Sequence, residues 1–144
     1  GDGRDVGRDE PDCYDRVLVD APCTGLGSLR RRPEARWRRQ PGDVTVLAEL
    51  QRELLTSALR AVRRGGVATY VTCSPHALET SLVVRDVARL LAREGLSTEI
   101  LHAGDIATRL APQPPAGADR EMLQLWPHLD GTDAMFCALL RRTS

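Results

Sequence analysis

No lysine occurs in this chain. All twenty basic side chains are arginine, and twenty acids balance them to a formal net charge of zero, so global charge says nothing about partners and only local patches can. Aromatic residues make up 3%. That excludes an aromatic core, leaves Leu, Val and Ala to build one, and makes the few aromatic side chains, such as Trp37 and Trp126, unusually informative. No run of about 18 apolar residues exists, which excludes a helical membrane span. Gly1 to Glu10 is polar and acidic rather than basic then apolar, so no secretory leader is expected. The four cysteines, Cys13, Cys23, Cys73 and Cys137, include no close pair and have no histidine at metal-ligand spacing; a metal site is not expected. Disulfides are not expected either, because a chain of 144 residues can bury an aliphatic core without staples. Free thiols and a cytoplasmic setting follow as expectations.

What is present is one domain of alternating strand and helix signals. Arg16 to Asp20 is a short apolar run of the kind a buried parallel strand has, and Ala21-Pro22 ends it. Gly25, Gly27, Pro33, Pro41 and Gly42 then predict a loop. Asp43 caps a predicted helix with Leu47, Leu50, Leu54, Ala58 and Val62 on one face, Arg60, Arg63 and Arg64 in its last turn and Gly65 as its stop. Val67 to Thr72 is β-branched and aromatic, hence a second strand. Ser74-Pro75 reads as N-cap and first residue of a helix through about Glu94, with Leu78, Leu82, Val87 and Leu90 inward. Further strands are predicted at Ser97 to His102 and Ala134 to Leu140, with a short helix from Asp105 to Leu110 and a proline-rich loop from Ala111 to Asp119 between them.

Strands alternating with helices predict an α/β sheet, whose ligands bind at the carboxyl ends of the strands. Cys23 lies three residues beyond Asp20, and Cys73 directly follows Thr72. If those two strands are neighbours, both sulfurs and the Asp20 carboxylate share one crevice. Cys73 also precedes the predicted Ser74-Pro75 helix start, where free N–H groups would favour a thiolate. A cysteine at a strand end can equally be a small buried apolar residue, which is the reading for Cys13 and Cys137. Charge is segregated too: residues 1 to 20 hold seven acids against three arginines, whereas Arg30 to Arg39 holds six arginines against Glu34 alone.

Asp20-Ala21-Pro22-Cys23-Thr24-Gly25, then Arg31-Arg32-Pro33-Glu34 and Trp37-Arg38-Arg39, then Thr72-Cys73-Ser74 behind a Gly-Gly strand entry, resemble the Sun (Fmu) family of RNA cytosine-5 methyltransferases. The Gly131-Thr132-Asp133 turn fits as well. The matches span most of the chain in family order, and the likeness is greatest to bacterial enzymes that modify 16S ribosomal RNA. The resemblance implies a partial Rossmann-like methyltransferase sheet, its later strands mostly parallel with an antiparallel last strand, flanked by helices. Residues 1–144 would then be the carboxyl-terminal part of one S-adenosylmethionine-dependent domain, with a basic loop at 24–42 and the upstream half expected in the same polypeptide. Gly25-Leu26-Gly27 cannot replace the family's glycine-rich cofactor loop, because it lacks a third glycine and is followed by arginines and Pro33 rather than a helix. The isolated segment is therefore expected to bind cofactor weakly and to be inactive.

By the same resemblance, Cys73 is the nucleophile, Cys23 assists product release and Asp2 contacts the adenosine of S-adenosylmethionine, while Asp20, at the end of its strand, can support the protonated N3 edge of the base and also border the methyl donor. Cytosine C5 is a poor nucleophile until a thiolate adds to C6, which explains the need for a cysteine. DNA cytosine-5 methyltransferases instead use the cysteine of a Pro-Cys pair, which would favour Cys23; the Thr-Cys-Ser strand end favours Cys73. Arg31, Arg32, Trp37 and Arg38 are the expected RNA contacts, since guanidinium groups pair with phosphates and an indole stacks on unpaired bases. The alternative is a solvated loop with Trp37 tucked beneath it. Family members carry Glu-Asn shortly after the Thr-Cys-Ser motif, whereas Glu79 here precedes Thr80, so Glu79 is not assigned to the site. An RNA-binding or scaffold half-domain without catalysis is the competing reading, and a redox or thiol-hydrolase site the weakest, lacking Cys-x-x-Cys and a paired histidine.

Overall fold

A computed structural model describes all 144 residues. Five strands form one sheet: β1 (Tyr14–Asp20), β2 (Val62–Thr72), β3 (Thr98–Leu101), β4 (Leu123–Gln124) and β5 (Phe136–Arg142). Their order is β1-β2-β5-β3, with β4 pairing along β5 as well. β1 and β2 are parallel, and β5 runs antiparallel to β2, β3 and β4. The sheet is thus parallel apart from its last strand, as the resemblance implies. Six helices accompany it: α1 (Val6–Asp9), α2 (Ala35–Arg38), α3 (Asp43–Ala61), α4 (Ser81–Arg93), α5 (Ala103–Leu110) and α6 (Pro127–Asp130). None is long and apolar enough to cross a membrane.

The core lies between the sheet and the pair α3 and α4. Leu55, Ala58 and Leu59 from α3, and Val83, Val84, Val87 and Leu91 from α4, pack on Val19, Ala68, Tyr70, Phe136, Ala138 and Leu140 from the strands. Each fully buried aliphatic side chain of this kind contributes about 1.5–3 kcal/mol. The two aromatic rings in the core, Tyr70 and Phe136, meet edge to face with centroids 6.1 Å apart. On the opposite face the alternation leaves Leu18 68% exposed, because no helix of the chain covers it.

Three expectations about the helices are corrected. The helix from Asp43 stops at Ala61, not near Arg64: Val62 still donates to the Ala58 carbonyl but turns to extended backbone and opens β2. Strand pairing wins because Val62 is fully buried and pairs with Tyr14, while Arg63 reaches Asp15 in an ion pair. Residues 63 to 66 bulge out, so the register passes from Tyr14 opposite Val62 to Arg16 opposite Val67. Gly65, at φ +81°, makes that bulge possible. Second, the inward stripe of α3 is Ala48, Gln51, Leu55, Ala58 and Leu59, rotated from the predicted leucine face. Third, Ser74-Pro75 opens no α-helix. A single 3-10 turn, Ala77–Glu79, capped by the His76 side chain, comes first, and α4 begins only at Ser81 with Val83, Val84, Val87 and Leu91 inward. Leu78 and Leu90, expected inside, are exposed.

Candidate active site

β1 and β2 deliver their following loops to the same end of the sheet because Asp20 stands opposite Val71 in a parallel register. One more ladder bond, Ala21 N–H to the Val71 carbonyl at 3.0 Å, carries the pairing past β1. Pro22 has no N–H to give, so the chain turns there. Cys23 and Cys73 thereby meet with their sulfurs 3.3 Å apart, and neither is in a disulfide. Cys23 is buried and Cys73 half-buried. Burial first, and then the hydrogen bond and charge of Cys73, push the Cys23 thiol up to about 12. Cys23 therefore keeps its proton at neutral pH, and either sulfur can be the donor of the pair. The helix-start support expected for a Cys73 thiolate is absent, since α4 begins eight residues further on and the intervening 3-10 turn is too short to supply it.

Behind the two sulfurs lies a residue missing from the expected site. Glu79 is fully buried. Its carboxylate accepts from the Thr24 N–H at 2.7 Å, the Thr24 hydroxyl at 2.5 Å, the Ser74 hydroxyl at 2.6 Å and Gln51 Nε2 at 3.3 Å. Gln51 Nε2 also donates to the Pro22 carbonyl at 2.9 Å. The Tyr70 hydroxyl, whose pKa burial pushes up, donates to the Glu79 carbonyl at 2.8 Å. Gln51, which the structure places on the inward stripe of α3, calls for such a buried partner, because a glutamine in an apolar face needs one.

The loop after Cys23 is locked just as closely. Gly27 donates to the Cys73 carbonyl, and Ala134 donates to the Gly27 carbonyl, both at 2.9 Å. A Cβ on Gly27 would lie 2.1 Å from the Ala134 oxygen and 2.8 Å from that of Cys73. Asp133, buried beside it, accepts from Arg31 Nε at 2.6 Å and lies 3.5 Å from an Arg30 nitrogen. These arginines, Arg31 first, hold the Asp133 carboxyl below the usual carboxylate range. Arg39 turns inward from the other end of the basic segment, donating to the Thr24 and Cys23 carbonyls at 2.9 and 3.2 Å.

The sequence pattern of the family described as 16S rRNA methyltransferase RsmB/F matches residues 1–141. The chain belongs to the RsmB/F methyltransferase family. It is similar to a putative methyltransferase of Mycobacterium tuberculosis, 55% identical over 129 residues that cover 90% of this chain and 26% of that protein. It is also similar to ribosomal RNA small subunit methyltransferase F of Serratia proteamaculans, 37% identical over 98% of this chain and 28% of the relative. The chain thus spans about a quarter of the length of these curated relatives. Among solved structures, PH0851 superposes with a TM-score of 0.80 at 31% identity, covering 98% of this chain and 30% of that one. NSun6 from Pyrococcus horikoshii, solved with SFG, superposes at 0.73 and 27% identity, covering 100% and 34%.

The remaining RsmB/F site candidates divide. Asp20 is exposed at the end of β1, three residues before Cys23. Asp2 lies on the segment along α3, where Arg4 engages both of its carboxylate oxygens through Nε and Nη2, at 2.6 to 3.1 Å, and holds its carboxyl down at about 2. Arg31 is committed to Asp133, whereas Arg32 and Arg38 are exposed and outside the ion pairs around the loop. Trp37 is 81% exposed, so it is not tucked beneath the loop. No group of three or more His, Cys, Asp or Glu side chains converges to hold a metal ion.

Proposed function

We propose that this chain carries the thiol half of an S-adenosylmethionine-dependent RNA methyltransferase site that transfers a methyl group to C5 of a cytidine, with 16S ribosomal RNA as the substrate class. The observation that carries the reading is the 3.3 Å approach of Cys23 and Cys73 at the carboxyl ends of adjacent parallel strands. Family membership and the curated relatives support ribosomal RNA methylation. SFG, an S-adenosylmethionine analogue, in the NSun6 neighbour supports the cofactor. Asp20 fits a place beside the methyl donor, being free and at the strand end. Asp2 reaches a ligand only if Arg4 shares or yields its carboxylate. The donor, when bound, supplies an electrophilic methyl group.

In this reading the Cys73 sulfur bonds to C6 of the base, and the C5–C6 electrons become available at C5 for the methyl group. Release then breaks the C6–S bond, the pair returning to Cys73, while the C5 proton leaves and the double bond re-forms. Cys23, once its own thiol proton has passed to solvent, is proposed as the base that takes that proton. The charge of Cys73, one of the causes that raise the Cys23 pKa, is gone once Cys73 is bonded to carbon, while burial, the largest, stays. The thiol is therefore easier to deprotonate in the adduct, the stage that calls for a base. Tritium at cytidine C5 tests the reading. In the full-length protein, tritium is expected to enter water in step with methyl incorporation; methyl incorporation without tritium release overturns the C5 assignment.

Arg32, Arg38 and Trp37 form the outward face of the basic loop and are proposed to meet the RNA. Replacing Arg32 and Arg38 by Gln is expected to lower the log-log salt slope of RNA binding by roughly 0.7 for each phosphate that is no longer neutralised. Arg31→Gln, by contrast, is expected to weaken binding through a loosened loop, because it removes the nearer of the two arginine partners of buried Asp133. Filter binding across a salt series separates the two; an unchanged slope in the double variant means that the patch is merely solvated.

A further inference from the structure

We infer that Glu79 is a positioning residue whose carboxylate sets the separation of the two cysteine sulfurs. Thr24 and Ser74 are the residues directly after Cys23 and Cys73, and one carboxylate binds both. The two cysteines are 50 residues apart in sequence, and at the level of these side chains Glu79 is the shared fastening of their loops. A buried carboxylate is unfavourable unless its lone pairs are met. Here four donors meet them, and the fastening is held from behind as well: Gln51 links Glu79 to Pro22, while Tyr70 and the His76 carbonyl fix the Glu79 main chain. The 3-10 turn that replaces the expected helix start is what aims Glu79 inward at this point rather than outward along a helix. A neutral aliphatic side chain would leave the Thr24 amide without an acceptor and loosen the two loops next to the sulfurs, although Gly27 still binds the Cys73 carbonyl. Misplacement of reacting groups by 1 Å costs about 100-fold in rate, so a drift of that size matters to any chemistry that uses the two sulfurs together.

The functional consequence rests on the two-thiol reading; the geometric part does not, and the test reads the geometry first. Diamide removes two electrons and two protons from a thiol pair, becoming the hydrazine while an S–S bond forms, so the rate of Cys23–Cys73 cross-linking measures how closely and how often the sulfurs meet. In the full-length protein without RNA, with Cys13 and Cys137 changed to Ser, Glu79→Leu is expected to slow cross-linking about tenfold or more. Glu79→Gln is expected to restore most of the rate, because its oxygen still accepts the Thr24 N–H and the two hydroxyls can turn to accept from its amide. Leu91→Ala, a core change in the last turn of α4, controls for general destabilisation and is expected to leave the rate near that of the parent. Thr24→Val and Ser74→Ala, each removing one donor, carry the test if Glu79→Leu does not fold. Cross-linking at the parent rate in Glu79→Leu, or in both donor variants, overturns the inference, as does a Leu91→Ala rate that falls equally. Failure of the methylation reading looks different: cross-linking follows the expected order of variants while tritium release and RNA adducts are absent.

Discussion

Cys73→Ala is expected to form no covalent protein–RNA complex at all, and Cys23→Ala to accumulate one that survives denaturing electrophoresis. The two sulfurs are 3.3 Å apart, yet the roles proposed for them fall on opposite sides of an intermediate. Removing the nucleophile leaves nothing to add to C6, so the intermediate is never filled. Removing the group that takes the C5 proton leaves attack and methyl transfer in place and stalls release, so the intermediate fills. Their environments support this division: Cys23 is the buried thiol, pushed up to about 12, and Cys73 is the more exposed sulfur, open to a base. The measurement is incubation of full-length variants with labelled substrate RNA and cofactor, followed by a denaturing gel. Accumulation in Cys73→Ala with none in Cys23→Ala means that the roles are exchanged and the Pro-Cys cysteine attacks. No difference between either variant and the parent removes the cysteine mechanism.

Gly27→Ala should cost the protein both stability and turnover. The added methyl would stand 2.1 Å from the Ala134 carbonyl oxygen and 2.8 Å from that of Cys73, and both obstacles are backbone, which cannot rotate away as a side chain can. Overpacking of this sort costs about 1–3 kcal/mol, readable as a lowered urea midpoint. Turnover is expected to fall further than the population of folded protein explains, since relief of the clash must part the Cys23 loop from the Cys73 carbonyl it is bonded to. Tritium release per folded molecule is the measurement. A variant with the parent's midpoint and the parent's rate shows that the loop has room to give, and removes the lock as a determinant of the site.

Much of the site is legible in the sequence because its chemistry is carried by local words. Asp20 through Thr24 announces a strand end, a stop and a thiol, and Thr72-Cys73-Ser74 announces a second; the parallel register that unites them follows from two apolar strand runs. Glu79 is not legible. Its role depends on Thr24 and Gln51, 55 and 28 residues away, and on a 3-10 turn where Ser74-Pro75 imitates a helix start. The Ser74 hydroxyl binds Glu79 and accepts the His76 N–H instead of capping α4. The division of the arginine run is equally hidden, because Arg31 and Arg39, bound to Asp133 and to the Thr24 and Cys23 carbonyls, differ from Arg32 and Arg38 only in what lies across from them. The end of α3 misleads for a related reason: Arg63, Arg64 and Gly65 have the look of a helix terminus, and only the long-range partner Tyr14 turns Val62 into a strand residue.

β5 is the last of the five strands along the chain and yet lies inside the sheet, with β2 on one flank and β3 on the other. On a ribosome, where the chain emerges in order, β1 and β2 can pair as soon as α3 has formed between them, but β3 has no neighbour until Phe136 to Arg142 is out. For that interval the free edge of β2 and the part of the core that Phe136, Ala138 and Leu140 will fill stand open to solvent. Closure is then a single late insertion that forms two strand pairings at once, a pattern of high contact order and slow, all-or-none completion. The same insertion brings Ala134 onto Gly27 and Asp133 onto Arg31, so the cysteine site acquires its final shape in the step that seals the sheet and not before it.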